Sequence, residues 1–171
     1  MLPLLTPRLT IRRFTLDDVQ QIHETYAAPA SGWPLAPGGV SVDLEDTRRV
    51  VERIIDIYGE WDGLGPWAVE TLEEPFVIGD CGLFRCRDPW ARDELELGYR
   101  LRPASWGRGY ATEAARAVLT YAFEELGAPR VVADADAANA ASLRVLEKIG
   151  MRVIGGDGMT LWYEADAPEH G

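Results

Sequence analysis

Residues 106–114 read Trp106-Gly107-Arg108-Gly109-Tyr110-Ala111-Thr112-Glu113-Ala114, and they lie between an alternating strand pattern and an apolar helical one. Ahead of them Leu95, Leu97, Tyr99 and Leu101 alternate, as a strand with one buried face requires. Behind them Ala111, Ala114, Ala115, Val118, Leu119, Ala122, Phe123 and Leu126 recur at helical spacing, and Gly127 stands where it can end the helix. A glycine-rich turn that opens directly into a helix leaves main-chain N–H groups unpaired, and the helix dipole adds partial positive charge at the same point. Such a turn can cradle a phosphate with its main chain. A tight strand-to-helix turn, with glycines serving backbone geometry only, would read the same way in isolation. The strand before it, the amphipathic helix after it and a further motif at Asn139 favour the cradle.

Two familiar phosphate loops fail on the letters. A P-loop needs a Lys followed by Ser or Thr after its last glycine, and no Lys follows these glycines; a dinucleotide fingerprint needs Gly or Ala where Thr112 stands. The stretch resembles instead the acyl-CoA pyrophosphate loop of the GNAT N-acetyltransferase superfamily, Gln/Arg-x-x-Gly-x-Gly/Ala, with Gly109, Tyr110 and Ala111 in its last three places. Trp106 departs from the Gln or Arg of the first place. The Trp-Gly-x-Gly-Tyr-Ala-Thr-Glu-Ala version is similar to that of the ribosomal-protein-alanine N-acetyltransferase-like (RimJ/RimL-type) branch.

The 171 residues predict one domain, 1–171, large enough for a substantial core. With 47% hydrophobic and 26% charged residues, the chain reads as soluble and globular. It carries no apolar run of the roughly 20 residues that a membrane span requires, and its first residues lack the layout of a signal peptide. A cytoplasmic, membrane-free protein is expected. A formal charge of −11 repels nucleic acid and mildly suits cationic partners, amines included, although acidity that serves solubility explains it as well. Cys81 and Cys86 fall on opposite faces of one strand-like run and read as buried, inert thiols. With His23 and His170 as the only histidines, neither a histidine metal site nor a catalytic triad is expected.

The element order predicted from pattern is a strand within 5–14, a helix over 17–27, a Pro- and Gly-rich loop over 28–42 and a helix over 43–61. Strands then follow at 67–72, 77–86 and 94–101, a helix at 111–126, a strand at 130–136, a helix at 139–149, and a closing hairpin of 152–154 and 159–165. The strands flanking the 111–126 helix should be parallel, joined by a right-handed crossover. This order matches the GNAT fold over nearly the whole chain. The resemblance implies an α+β protein with a mixed central sheet of about six or seven strands, flanked by about four helices. That sheet is splayed between its fourth and fifth strands, here 94–101 and 130–136, and acetyl-CoA enters the gap.

Several residues follow from this resemblance. Trp106, Gly107, Arg108, Gly109, Tyr110, Ala111 and Thr112 would hold the diphosphate, Arg108 adding charge at the rim, with Leu97, Tyr99 and Leu101 along the cofactor arm. Asn139-Ala140-Ala141-Ser142 reads by itself as a capped helix start. It also resembles the family's Asn-x-x-Ser helix, which would set Asn139 against the arm and Ser142 near the sulfur. No Tyr lies between Asn139 and Gly150 to protonate a departing thiolate, so Ser142 is the candidate acid. Glu96, in Glu-Leu-Gly-Tyr beside the gap, is either an ordinary strand carboxylate or the base that accepts the amine proton. Asp134 and Asp136 are weaker alternatives, and Asp134 would face the acceptor. Trp33 either walls the acceptor pocket or plugs the core. The remaining tryptophans are assigned to packing.

The function implied is direct transfer of an acetyl group to a primary amine, with a protein or peptide N-terminus preferred by branch resemblance. At pH 7 an α-amino group is neutral in roughly one molecule of ten, a lysine side chain in one of two or three thousand. A small amine (polyamine, aminoglycoside or amino-acid derivative) is the alternative acceptor, and a non-catalytic acyl-CoA-binding module the alternative class. No metal is implied. The resemblance alone suggests a homodimer.

Overall fold

The computed structural model describes residues 2–26 and 43–168. In chain order it contains β1 (Leu4–Leu5), β2 (Leu9–Arg12), α1 (Val19–Tyr26), α2 (Leu44–Glu60), β3 (Gly65–Thr71), β4 (Val77–Arg85), β5 (Leu95–Leu101), α3 (Tyr110–Glu124), β6 (Arg130–Asp136), α4 (Ala140–Lys148), β7 (Arg152–Gly156) and β8 (Thr160–Asp166). The eight strands form one sheet in the order β1-β2-β3-β4-β5-β6-β8-β7. The α+β class and the four helices match the expectation. The sheet exceeds six or seven strands, because β1 contributes two residues, too few to show a period in sequence.

Helix ends follow local chemistry. Asp43 caps α2 by accepting from the Asp46 amide at 2.8 Å, and the Asn139 side chain does the same for α4 through the Ser142 amide at 3.1 Å. At the end of α3 the chain turns left-handed at Gly127 (φ 65°), and the Ala128 amide reaches back to the Ala122 carbonyl at 3.0 Å. The buried positions of α2, Thr47, Val51, Ile54 and Tyr58, are one helical stripe. On α3 they are Ala114, Ala115, Val118, Leu119 and Ala122, mostly small, which lets the helix lie close on β4 and β5. Leu126 falls outside this stripe. It lies two residues past the end of α3 and is 42% exposed, so the periodic reading ran about half a turn too far.

What positions the site is the joint between β5 and β6. All other neighbours in the sheet are antiparallel, and β4 and β5 run together from Gly79 opposite Leu101 to Arg85 opposite Leu95. The parallel β5–β6 joint holds at Leu95 with Val131 and Glu96 with Val132, and no further. Beyond Glu96 the two strands part, which opens the sheet between its two arms. Helix α3 makes the crossover that a parallel pair requires.

The two faces of β5 meet different helices. Asp80 on β4 is opposite Arg100 and accepts from the Tyr26 hydroxyl of α1 at 2.6 Å, so Arg100, Gly98 and Glu96 face the α1 side. Tyr99 reaches α4 on the other side, and Leu97 is buried there in the core. Cys81 and Cys86 are both free and buried, as expected of inert thiols.

Candidate functional site

The site begins at the joint. Glu96 is the last β5 residue paired with β6, on the α1 face, and its half-buried carboxyl is hydrogen-bonded to Asp134 and to the Cys86 thiol. Burial pushes this carboxyl up to about 7, helped by the hydrogen bond and negative charge of Asp134 and by the charge of Asp88. Two carboxyls sharing one hydrogen bond cannot both ionise at little cost. Glu96 can therefore hold or release a proton near neutrality. Asp136, the other alternative, accepts from the Ala138 amide at 2.7 Å and helps to shape the turn into α4.

Aromatic side chains flank this pair. Trp162 on β8 is directly opposite Asp134, and its ring stacks on Trp90 with centroids 5.4 Å apart and planes 11° apart. The partner strand leaves room for the ring by carrying Gly155, where a Cβ would come within 2.9 Å of the indole. Sequence reading assigns both tryptophans to packing. Their stack stands next to the carboxyl pair.

At the far end of β5 the chain enters the glycine turn. Gly107 and Gly109 are both left-handed, at φ 73° and 80°, and Gly109 is the N-cap of α3 with no side chain to offer the helix. The first helical bond runs from the Glu113 amide to the Gly109 carbonyl at 3.0 Å. Among the described residues, the amides from Gly107 through Thr112 donate to no acceptor within the chain. Trp106 donates its indole N–H to the Leu101 carbonyl at 2.6 Å and is 59% exposed. Arg108 lies over the Tyr110 ring, 5.8 Å from its centroid.

Sequence reasoning missed the support under this turn. The Glu113 carboxylate accepts from the Thr6 hydroxyl (2.6 Å), the Arg8 amide (2.9 Å) and Arg8 Nε (2.7 Å), and Arg8 Nη1 donates to the Arg108 carbonyl at 2.9 Å. These bonds hold Glu113 ionised below the usual carboxylate range, against its partial burial. The β1–β2 segment thus grips the first turn of α3, where a carboxylate also suits the dipole. A contact spanning 105 residues has no local signature.

The third part is the start of α4. Ser142 is half-buried and its hydroxyl lies 2.9 Å from the Tyr99 hydroxyl, which also reaches the Ser142 carbonyl at 3.1 Å. Burial pushes the Tyr99 phenol up to about 12, so it remains protonated at neutral pH. A phenol from β5 thus stands beside the first turn of α4. Asn139 is exposed, with its oxygen committed to the helix cap. Leu97, Tyr99 and Leu101 share the α4 side of the opened joint with Ser142, while Glu96 and Asp134 lie on the α1 side. Trp33 lies outside the described residues. Among those described, no group of His, Cys, Asp and Glu is arranged to hold a metal ion, and no helix is long and apolar enough to cross a membrane.

This geometry agrees with comparisons to known proteins. The family model for the acetyltransferase (GNAT) domain matches residues 8–152. YnaD of Bacillus subtilis, an uncharacterized N-acetyltransferase, is 31% identical over 147 residues, covering 86% of this chain and 81% of that protein. An acetyltransferase from Agrobacterium tumefaciens superposes with a TM-score of 0.72 at 30% identity, over 96% of this chain and 95% of the other. RimL, a ribosomal L7/L12 alpha-N-protein acetyltransferase in complex with coenzyme A, reaches a TM-score of 0.79 over 97% and 98% of the two chains. At 17% identity, that last likeness is one of fold alone.

Proposed function

The chain belongs to the GNAT acetyltransferase family and is an enzyme that transfers an acetyl group to an amine; we propose that the donor is acetyl-CoA and the acceptor the N-terminal amine of a protein or peptide. The observation that carries the donor is the run of unmatched amides from Gly107 through Thr112 at the mouth of the opened joint. Those amides, the missing Cβ of Gly109 and the α3 dipole suit a diphosphate. Trp106 and Arg108 flank it, and Leu97, Tyr99, Leu101 and Asn139 line the way inward. Bound there, acetyl-CoA supplies an activated thioester.

The chain's own residues then have two proton tasks. Glu96, hydrogen-bonded to Asp134, accepts the proton of the incoming ammonium on the α1 side, directly or through a water. A base near 7 is within about one pKa unit of an α-amine (about 7.7–8.0) and more than three below a lysine (about 10.4). That match supports an N-terminal acceptor. On the α4 side Ser142 donates to the leaving sulfur, and Tyr99 holds the serine hydroxyl in place. The fold shared with RimL supports the same acceptor class, by architecture alone.

The test is acetyl-CoA turnover against two panels, short peptides with free N-termini and small amines such as polyamines, aminoglycosides and amino-acid amides, with products identified by mass spectrometry. Peptides acetylated at the N-terminus are expected. Turnover confined to small amines would overturn the acceptor, and cofactor binding without amine-dependent thiol release would overturn the role of Glu96.

A further inference from the structure

Eight of the sixteen arginines in this acidic chain have a carboxylate within 4.0 Å among the described residues. Arg8, Arg12, Arg53, Arg100, Arg130 and Arg152 each hold a carboxylate oxygen at 3.0 Å or less. Arg87 and Arg92 are among the eight that have none, and what sets this pair apart is a shared cavity. Neither has a carboxylate partner among the described residues, and together they line a cavity of about 330 Å³ with Trp61, Arg85, Cys86 and Asp93. Arg85 contributes a third guanidinium, held only by a 3.8 Å contact to the highly exposed Asp62. Three arginines and one carboxylate thus line the cavity, in a protein whose formal charge is −11.

The cavity wall is pre-shaped. The loop from β4 to β5 is closed by main-chain bonds from the Cys86 amide to the Glu94 carbonyl (2.8 Å) and from the Asp93 amide to the Cys86 carbonyl (2.9 Å). Asp93 is left-handed at φ 69°, a conformation uncommon outside glycine. Arg87 lies over the Trp61 ring, 5.5 Å from its centroid, and Trp61 meets Phe84 edge-on. A stacked guanidinium keeps its N–H fork free for an oxyanion.

This cavity adjoins the carboxyl pair. Cys86 lines it, and the Cys86 thiol is hydrogen-bonded to Glu96. Glu96 is paired with Phe84, so Cys86 is its diagonal neighbour across the β4–β5 ladder, at a spacing of roughly 7–8 Å. We propose that the cavity lined by Arg87, Arg92 and Arg85 is an acceptor subsite for an oxyanion, a carboxylate or a phosphate, carried one or two residues from the reacting amine. The inference rests on Glu96 as the group that meets the amine, and it names the acceptor more narrowly: an N-terminus followed closely by an acidic or phosphorylated residue. Net charge alone had favoured cationic partners; the local arrangement of guanidiniums reverses that preference at this one place.

Two measurements test it, one independent of catalysis. Succinate and inorganic phosphate are titrated into the protein while the arginine side-chain Nε–Hε resonances are followed by NMR, for the native chain and for Arg87→Ala/Arg92→Ala. Saturable shifts at millimolar concentration in the native chain, lost in the double variant, are expected, and the tighter of the two anions shows which oxyanion fits. No saturable shift with either overturns the subsite. Peptide pairs with Asp, phosphoserine or Asn at the second and third positions are then compared as acceptors. The native chain should favour an anionic peptide by about tenfold or more in kcat/KM, mostly through KM, and in the double variant that ratio should collapse toward one. A ratio unchanged by the double substitution overturns the subsite. Anion binding without acetylation of any peptide would leave the subsite standing and count against the proposed acceptor.

Discussion

Glu96→Gln and Asp134→Asn separate the causes of the raised Glu96 carboxyl and show whether it carries the reaction. With Glu96 at about 7, roughly one molecule in eleven has the carboxylate ionised at pH 6 and roughly ten in eleven at pH 8. A rate that needs the ionised form therefore climbs about tenfold across this interval. The acceptor amine titrates nearby and would blur the limb in any single profile. It divides out when kcat/KM of the native enzyme is divided by that of Glu96→Gln at each pH. The ratio should stand near or above about 100 at pH 8, the lower range for a positioned base, and fall about tenfold by pH 6. Asp134→Asn keeps the burial but removes the neighbouring negative charge, so the inflection should move to lower pH without vanishing. A ratio flat from pH 5.5 to 8.5 would refute the assignment of Glu96 as base, and an inflection unmoved in Asp134→Asn would refute the coupling.

The same shift has a consequence for stability that needs no substrate. Between the ordinary carboxylate range and about 7, the folded chain holds a proton on Glu96 that the unfolded chain releases. Stability from this group is therefore present at low pH and lost as the pH rises through about 7. Glu96 is only partly buried, so solvent screens much of the effect, and a difference of a few degrees in Tm at most is expected. The Tm of Glu96→Gln minus that of the native chain should grow from pH 4.5 to pH 7.5 and then level off. Parallel curves would show that Glu96 titrates as an ordinary surface acid.

Gly109→Ala forces a side chain into a left-handed residue at φ 80°, costing roughly 1–2 kcal/mol of conformational strain, and sets a methyl 3.4 Å from Arg8 Nη2 at the edge of the cradle. Calorimetry should show acetyl-CoA binding weakened about tenfold or more, and an unchanged Kd would remove the cradle from the reading. Ser142→Ala should lower kcat while leaving the acetyl-CoA Kd near its native value; Tyr99→Phe, which deletes the 2.9 Å hydroxyl contact, should follow in the same direction but more weakly. Equal kcat in both variants would exclude the hydroxyl pair. Glu113→Ala abolishes bonds from Thr6 and Arg8 to a carboxylate whose side chain is 15% exposed, which at roughly 1.5–3 kcal/mol corresponds to a Tm lower by about 3–12 °C. A smaller change would mean that the β1–β2 segment does not brace the turn.

Local chemistry was legible and distant chemistry was not. Asp43, Asn139 and Gly127 mark helix ends because a cap is decided by neighbouring residues, and 130–136 coincides with β6 because an apolar strand between turns has one reading. Leu44 and Leu126 fit the periodicity of their helices yet lie at or past the ends, 44% and 42% exposed, where no adjacent turn covers them. The face of Glu96 followed from alternation along β5. Its proton affinity did not, because that depends on Asp134 across a joint of two residue pairs and on burial. The Trp90–Trp162 stack and the Glu113 brace have the same origin: each joins segments far apart in the chain, and no spacing within either segment announces it.

That two-pair joint concentrates the chemistry of the whole sheet. If β5 slipped by one residue against β6, every side chain on it would change face. Leu97 would then meet Asp134, Glu96 would point toward α3 and α4, and the phenol of Tyr99 would leave Ser142. The long antiparallel ladders on either side resist this, since β4 fixes β5 through seven register pairs and β8 fixes β6 through seven more. The joint can stay short, and the sheet can stay open beyond Glu96, because register is imposed from outside it. The carboxyls of Glu96 and Asp134 on one face and the hydroxyls of Tyr99 and Ser142 on the other thus flank the place where pairing stops, which is the arrangement the proposed transfer from a thioester to an amine requires.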